Sequence, residues 1–238
     1  MNIAIIFAGG VGTRMNTKDK PKQFLMVHGK PIIVHTIEIF QKHTEIDGII
    51  VVCVDGWLDY MEEMKDRFRL DKIGGIVKGG ETGQLSIYNG LKAAEREYGV
   101  GDNIVLIHDG VRPLIDSQMI TANIESVKKY GSAITCALTK ESVVLAGSDG
   151  FIESVFEREQ SRMAKAPESF FMKDILAAEE ESISQGVINE IDSCTLMAHH
   201  GMKMHIVDGD YGNIKITTPE DFYMFRAIYD AKENEQLK

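Results

Sequence analysis

Two uninterrupted apolar runs, residues 49–54 and 104–107, constrain this chain more than any other feature. A strand with one wet face alternates polar and apolar residues. A strand that is apolar throughout is buried on both faces, as in a parallel sheet covered by helices. Further β-rich stretches lie at 2–7, 75–77, 132–138 and 203–207, and 31–42, 57–68, 86–98 and 117–130 carry apolar residues at helical spacing. The alternation predicts an α/β fold. A last helix is announced by Thr218 as N-cap, Pro219 at the first helical position and Asp221 three residues after the cap, and it is expected to run to about Ala231. At 238 residues the chain suits one sizeable domain, and no internal repeat or low-complexity linker divides it.

The rhythm breaks between about 139 and 165. Residues 141–146 and 151–156 flank Gly147-Ser148-Asp149-Gly150 and read as a β-hairpin that leaves the sheet. A two-stranded hairpin is marginal alone, so this arm is expected to pack against a partner, a second subunit.

The first strand runs straight into Ala8-Gly9-Gly10-Val11-Gly12-Thr13-Arg14-Met15, followed after a polar gap by Pro21-Lys22-Gln23-Phe24. Gly9, Gly10 and Gly12 let a turn pass close to a phosphate with its N–H groups turned inward, and Arg14 and Lys22 supply positive charge for a triphosphate. Read alone, the stretch suggests nucleotide handling, and the alternative is a tight strand-to-helix turn with two solvated cations. It is not a Walker loop, because no Lys-Ser/Thr pair follows the glycines, and the third glycine of a dinucleotide fingerprint would fall on Met15.

Other clusters sit at predicted strand ends. His108-Asp109-Gly110-Val111-Arg112-Pro113 closes the fourth strand, where an open parallel sheet places its ligands. Asp109 could hold a metal or a ribose there, or simply cap a turn, and His108 reads as a hydrogen-bonded structural residue rather than a catalyst. Gly79-Gly80 forms a second close-approach turn, and Ser86 caps the next helix or contacts a base. Lys215 lies in Asn213-Ile214-Lys215-Ile216-Thr217, a predicted strand that points the lysine either to solvent or into a site. His199-His200 have no carboxylate or Cys at ligand spacing, so a metal role is not expected.

Composition removes several function classes. With 26 Lys and Arg against 36 Asp and Glu, the net charge of −10 argues against a nucleic-acid partner, and an anionic substrate needs a local cationic cluster. Cys53, Cys136 and Cys194 are odd in number and widely spaced, which supports neither a disulfide framework nor structural zinc. No apolar stretch is long enough to cross a membrane or serve as a secretory leader, so a cytoplasmic protein is expected.

Taken in order, the segments 8–15, 21–24, 79–80, 108–113 and 213–217 resemble the cytidylyltransferases that act on alcohol phosphates, over nearly the whole chain. The resemblance implies a Rossmann-like, mostly parallel sheet of the nucleotide-diphospho-sugar transferase type with a protruding β-arm. It implies that CTP is held by Phe7, Ala8, Gly9, Gly10 and Gly12 together with Gly79, Gly80, Glu81, Ser86, Asp109 and Gly110. Arg14 and Lys22 would steady the triphosphate, Asp109 would face the ribose and a magnesium ion, and Lys215, Arg158, Arg112 and Ser142 would position the alcohol phosphate. In the family the arm exchanges across a homodimer.

The chain departs from the family pattern in places. Gly83, with Gln84 beside it, stands where an Arg is usual, and Lys165-Ala166-Pro167-Glu168 replaces Gln-Thr-Pro-Gln, with Lys165 as a displaced charge. Ile191-Asp192-Ser193-Cys194 replaces a Thr-Asp segment. The motif variants resemble the ribitol-phosphate branch more than the methylerythritol-phosphate branch. The implied reaction is CMP transfer from CTP to ribitol 5-phosphate or a related alditol phosphate. Methylerythritol phosphate is the alternative acceptor, and a non-catalytic nucleotide-binding homologue is the reading from a different class.

Overall fold

In a computed structural model that describes residues 1–9 and 20–234, a seven-stranded sheet forms the centre of the chain. Its strands, in chain order, are β1 (Asn2–Ala8), β4 (Gly48–Cys53), β5 (Ile73–Lys78), β6 (Ile104–Asp109), β7 (Ser132–Leu138), β10 (Arg162–Phe171) and β11 (Ile206–Asp208). Two small hairpins complete the β-structure: β2 (Met26–Val27) with β3 (Lys30–Pro31), and β8 (Val144–Ala146) with β9 (Ile152–Val155). The helices are α1 (Ile32–Lys42), α2 (Leu58–Phe68), α3 (Gly83–Tyr98), α4 (Ser117–Tyr130), α5 (Met172–Ser184), α6 (Ser193–His199) and α7 (Pro219–Asn234). The spatial order is β11-β7-β10-β6-β1-β4-β5, parallel except at β10, which runs antiparallel to both β6 and β7.

The apolar runs are explained by two separate cores. Ala4 and Ile6 of β1 and Ile49, Val51 and Cys53 of β4 face α1, α2 and α4. Their neighbours Ile3, Ile5, Ile50 and Val52 face α3, α5 and α6. Each fully buried Ile contributes roughly 1.5–3 kcal/mol, so apolar residues at both parities are favoured and alternation is lost. A third core, with Val27, Ile32, Val111, Ile216 and Phe225, seats α7 on the β2–β3 hairpin. The α7 start forms the expected reciprocal cap: the Thr218 N–H donates to Asp221 Oδ2 at 2.8 Å, and the Asp221 N–H approaches Thr218 Oγ1 at 3.4 Å.

Three expectations need correction. Residues 213–217 are no strand; the Ile216 N–H bonds to Val111 O at 3.0 Å, so the segment runs beside a loop and joins no ladder. Strand β10 and helices α5 and α6 were not foreseen, because Lys165, Pro167, Glu168 and Ser169 break the apolar pattern of an inner strand. Helix α3 begins at Gly83 with Thr82 as its N-cap, so Ser86 lies inside the first turn rather than capping it.

Close packing of α3 on the sheet rests on Gly90, where an added Cβ would lie 2.7 Å from methyls of both Ile5 and Val52. Gly90→Ala gains ~1 kcal/mol of helix propensity but overpacks this contact by ~1–3 kcal/mol, so a net loss on the order of 1 kcal/mol is expected. A denaturant titration reads it as a lowered midpoint at constant slope, and a raised midpoint would show that the layers can part at no cost.

Candidate active site

Strands β6, β1, β4 and β5 are parallel neighbours, so their carboxyl ends and the loops that follow share one edge. Gly9 follows β1 and Gly79 follows β5, and the two meet there. A Cβ on Gly79 would lie 3.3 Å from Gly9 Cα and 3.0 Å from Ser86 Oγ, while one on Gly9 would lie 2.9 Å from the same oxygen. Any side chain at either position would push the turns apart. Ser86 locks the arrangement: its Oγ accepts the Gly80 N–H at 3.0 Å and donates to Thr82 O at 2.8 Å. Glu81 is exposed just outside this turn. Gln23 Nε2 donates to Ala8 O at 2.7 Å, tying the Lys22–Phe24 turn to the end of β1. Lys22 opens that turn, half-buried. Gly10, Gly12 and Arg14 lie outside the described residues.

A charge cluster forms at the end of β6. Asp109, 7% exposed, accepts from Arg112 Nε at 2.7 Å on one oxygen and from Lys215 Nζ at 2.6 Å on the other. Burial works to raise its pKa, but the charges of Lys215 and Arg112 outweigh this and hold the carboxyl down at about 2. Arg112 also donates to Asn213 O at 2.9 Å, fixing the segment that carries Lys215. The Lys215 ammonium stands 5.8 Å from the centre of the Phe7 ring. Gly110 tucks beneath, its N–H on Phe7 O at 3.0 Å. His108 is wholly buried, with Nε2 on Arg112 O at 3.1 Å, and burial pushes its pKa down to about 4. The ring is thus enclosed, neutral near pH 7 and hydrogen-bonded through Nε2, while its Nδ1 is buried without a partner.

Phe7, Asp109, Arg112 and Lys215 line a cleft of about 270 Å³ whose other wall the sequence reading largely missed. Lys165 reaches it from β10, donating to Tyr211 O at 3.0 Å and Asn213 O at 3.1 Å. The residue suggested as a displaced charge thus lines the cleft, and burial, then the charge of Arg112, lowers its pKa. Glu168, Ile191, Asp192 and Ser193 complete the wall. Their signal was the N-cap pattern of α6, where Asp192 Oδ1 accepts the Thr195 N–H at 2.7 Å. Gln84 anchors the segment ahead of α6 by accepting the Glu190 N–H at 2.9 Å and donating to Glu179 at 3.0 Å.

Ser142 and Arg158 are brought to each other, Nη2 to Oγ at 3.1 Å, but not to this cleft. Both lie on the arm, exposed. Around them Phe151, Ile152, Val155 and Phe156 are 49–74% exposed.

An open α/β sheet with meeting glycine turns and a cationic cleft at its carboxyl edge defines an enzyme of the nucleotidyltransferase class. The chain belongs to the family described as IspD, 2-C-methyl-D-erythritol 4-phosphate cytidylyltransferase, whose model matches residues 2–231. It is 59% identical over 237 residues to a ribitol-5-phosphate cytidylyltransferase of Streptococcus agalactiae serotype V, covering 100% of this chain and 98% of that one. A 2-C-methyl-D-erythritol 4-phosphate cytidylyltransferase of Clostridium acetobutylicum is 38% identical over 229 residues, 96% of this chain and 97% of that one. Among solved structures, the 4-diphosphocytidyl-2C-methyl-D-erythritol synthase of Anaerococcus prevotii superposes with a TM-score of 0.83 at 28% identity, covering 96% of each chain.

Proposed function

We propose that this cytidylyltransferase transfers CMP from CTP to D-ribitol 5-phosphate, forming CDP-ribitol and pyrophosphate. The observation that carries the acceptor is the 59% identity, along the full chain, to a relative named for that reaction. Methylerythritol phosphate is the second reading, favoured by the family's description and by the more distant relative.

In this reading an oxygen of the acceptor phosphate attacks the α-phosphorus of CTP in line. The new P–O bond forms as the bond to the β-phosphate bridge breaks, and pyrophosphate leaves with that electron pair. The acceptor phosphate is already ionised near neutral pH, so no strong general base is needed, in keeping with the neutral buried His108. Positioning and charge stabilisation carry the rate. Phe7, Ala8 and the glycines at 9, 10, 12, 79, 80 and 110, with Glu81 and Ser86, hold the nucleotide. Arg14 and Lys22 steady the triphosphate, and Lys215 and Arg112 take the acceptor phosphate. Lys215 suits that task because its side chain is 42% exposed at the cleft while tethered by Asp109.

A magnesium ion fits the donor set. Asp109 is an ionised carboxylate in the cleft lining, and although each of its oxygens accepts from a cation, each keeps a further lone pair, so it could serve as the one carboxylate of a Mg²⁺ ion that completes its shell with phosphate oxygens and water. When bound it supplies further charge neutralisation to the transferring phosphoryl group.

We read the chain as a single cytoplasmic domain with the arm as an insertion, working as a homodimer in which Ser142 and Arg158 complete the neighbour's acceptor site. The exposed apolar residues of the arm support this, since a short hairpin carrying them wants cover.

The first test is pyrophosphate release with each of the four nucleoside triphosphates and a panel of ribitol, other alditol and methylerythritol phosphates. CTP with ribitol 5-phosphate is expected to be the productive pair, and excess chelator is expected to abolish turnover. Equal rates with ATP, or turnover undiminished by chelator, would remove the nucleotide or the metal assignment respectively.

A further inference from the structure

The lining of the cleft brings Arg112, Lys165 and Lys215, around the carboxylate of Asp109, together with Glu168, Asp192 and Ser193. A phosphate is attracted to the cations, which leaves the part of the cleft at Glu168 and Ser193 to the uncharged end of an acceptor.

Glu168 is the telling residue. It sits on β10 opposite Ile107 of β6 and Ile134 of β7, both members of the apolar core on that face of the sheet, and it is only 7% exposed. Burying a carboxyl there costs free energy that an apolar side chain would not. Its carboxyl accepts two backbone N–H groups at the start of α6, that of Cys194 on Oε2 at 3.0 Å and that of Ser193, two bonds for a group that can accept about four. Ser193 beside it is 1% exposed, and its hydroxyl is a buried polar group without a hydrogen-bond partner. An orphan hydroxyl and an under-used carboxyl on one wall of a substrate cleft are what a site awaiting ligand hydroxyls looks like.

We propose that Glu168 and Ser193 are the specificity-determining contacts for the hydroxyl chain of the acceptor, selecting a polyol phosphate that presents a hydroxyl to them. This rests on the reading of the cleft as the acceptor site. Burial, then the charge of Asp192, pushes the Glu168 carboxyl up to about 8. It is therefore protonated at neutral pH, can donate as well as accept, and does not repel the acceptor's phosphate.

The test is a cycle between enzyme and ligand. The kcat/KM of wild type, Glu168→Ala and Ser193→Ala is measured with the panel phosphate that wild type uses best and with analogues lacking its hydroxyls one at a time. A site built to bond a hydroxyl discriminates strongly against the analogue without it. For at least one position, wild type is expected to lose ~10-fold or more on deletion of the hydroxyl while one of the variants loses almost nothing, with the KM for CTP unchanged. A merely structural role gives the same penalty in all three proteins, and that result overturns the proposal. If Glu168→Ala fails to fold, Ser193→Ala, which removes a group with no partner, decides the same question. Failure of the functional reading is seen separately, as wild type preferring an acceptor other than ribitol 5-phosphate.

Discussion

Lys215→Ala is expected to lower kcat by ~100-fold or more, and Lys22→Ala by a similar factor, as when one positioned donor to a developing charge is removed. For Lys215 the geometry makes the case. Its ammonium is held 2.6 Å from a carboxylate that burial would otherwise protonate, so it is pre-placed and needs no reorganisation as charge builds on the transferring phosphoryl group. Thermal melts are expected to show a small change for Lys22→Ala. Lys215→Ala should lose somewhat more, because Asp109 then keeps only Arg112 as a counter-ion. Lys215→Arg should fold like wild type and recover part of the rate, since it restores charge but not shape. Normal kcat in a folded Lys22→Ala or Lys215→Ala protein would remove that residue from the mechanism.

Mixing two inactive proteins is expected to restore activity. On the proposed homodimer, Lys22→Ala would damage the nucleotide side of a chain's own site, whereas Arg158→Ala would damage the arm lent to its neighbour. A mixed dimer then holds one site with both defects and one with neither. With random exchange about half of the dimers are mixed, so recovery approaches about a quarter of wild-type activity. The physical motive is the arm's surface. Strands of three and four residues hold Ile152 and Val155, with Phe151 and Phe156 at their ends, out in solvent, and a hairpin of that size does not pay for itself alone. Arg158 and Ser142 are bonded to each other and lie outside the lining of their own chain's cleft, so within one chain they have no substrate to hold. A stable monomer, or exchanged dimers without recovered turnover, would show that the sites are not shared.

Much of the site could be read before folding. The glycine pair at 79–80 and the glycine turn after β1 were legible because close backbone approach has few other solutions, and Gly9, Gly79 and Ser86 do meet. Asp109 was legible because it ends an apolar strand. Lys215 was harder. Its segment looked like a strand by alternation, and its direction depends on Asn213 and Ile216 bonding to the loop at 111–112, contacts about 100 residues apart in sequence. Glu168 and Ser193 were visible only as members of segments that depart from the family pattern, with no role attached. The course of β10 through the middle of the sheet brings Glu168 into the cleft lining.

By itself the sequence determined the layered α/β class, the helices α1, α2 and α4 to within a residue or so, the hairpin arm and the close-approach turns at Gly9 and Gly79. Each follows from local chemistry: the parity of burial, caps, or the freedom of glycine. The tertiary structure decided the antiparallel course of β10, the pairing of Asp109 with both Arg112 and Lys215, and the gathering of Lys165, Glu168 and Ser193 into the lining of the same cleft. These depend on which distant segments become neighbours. A carboxylate's charge state or a lysine's direction is set by what packs against it, and that is not written in the residues beside it in the chain.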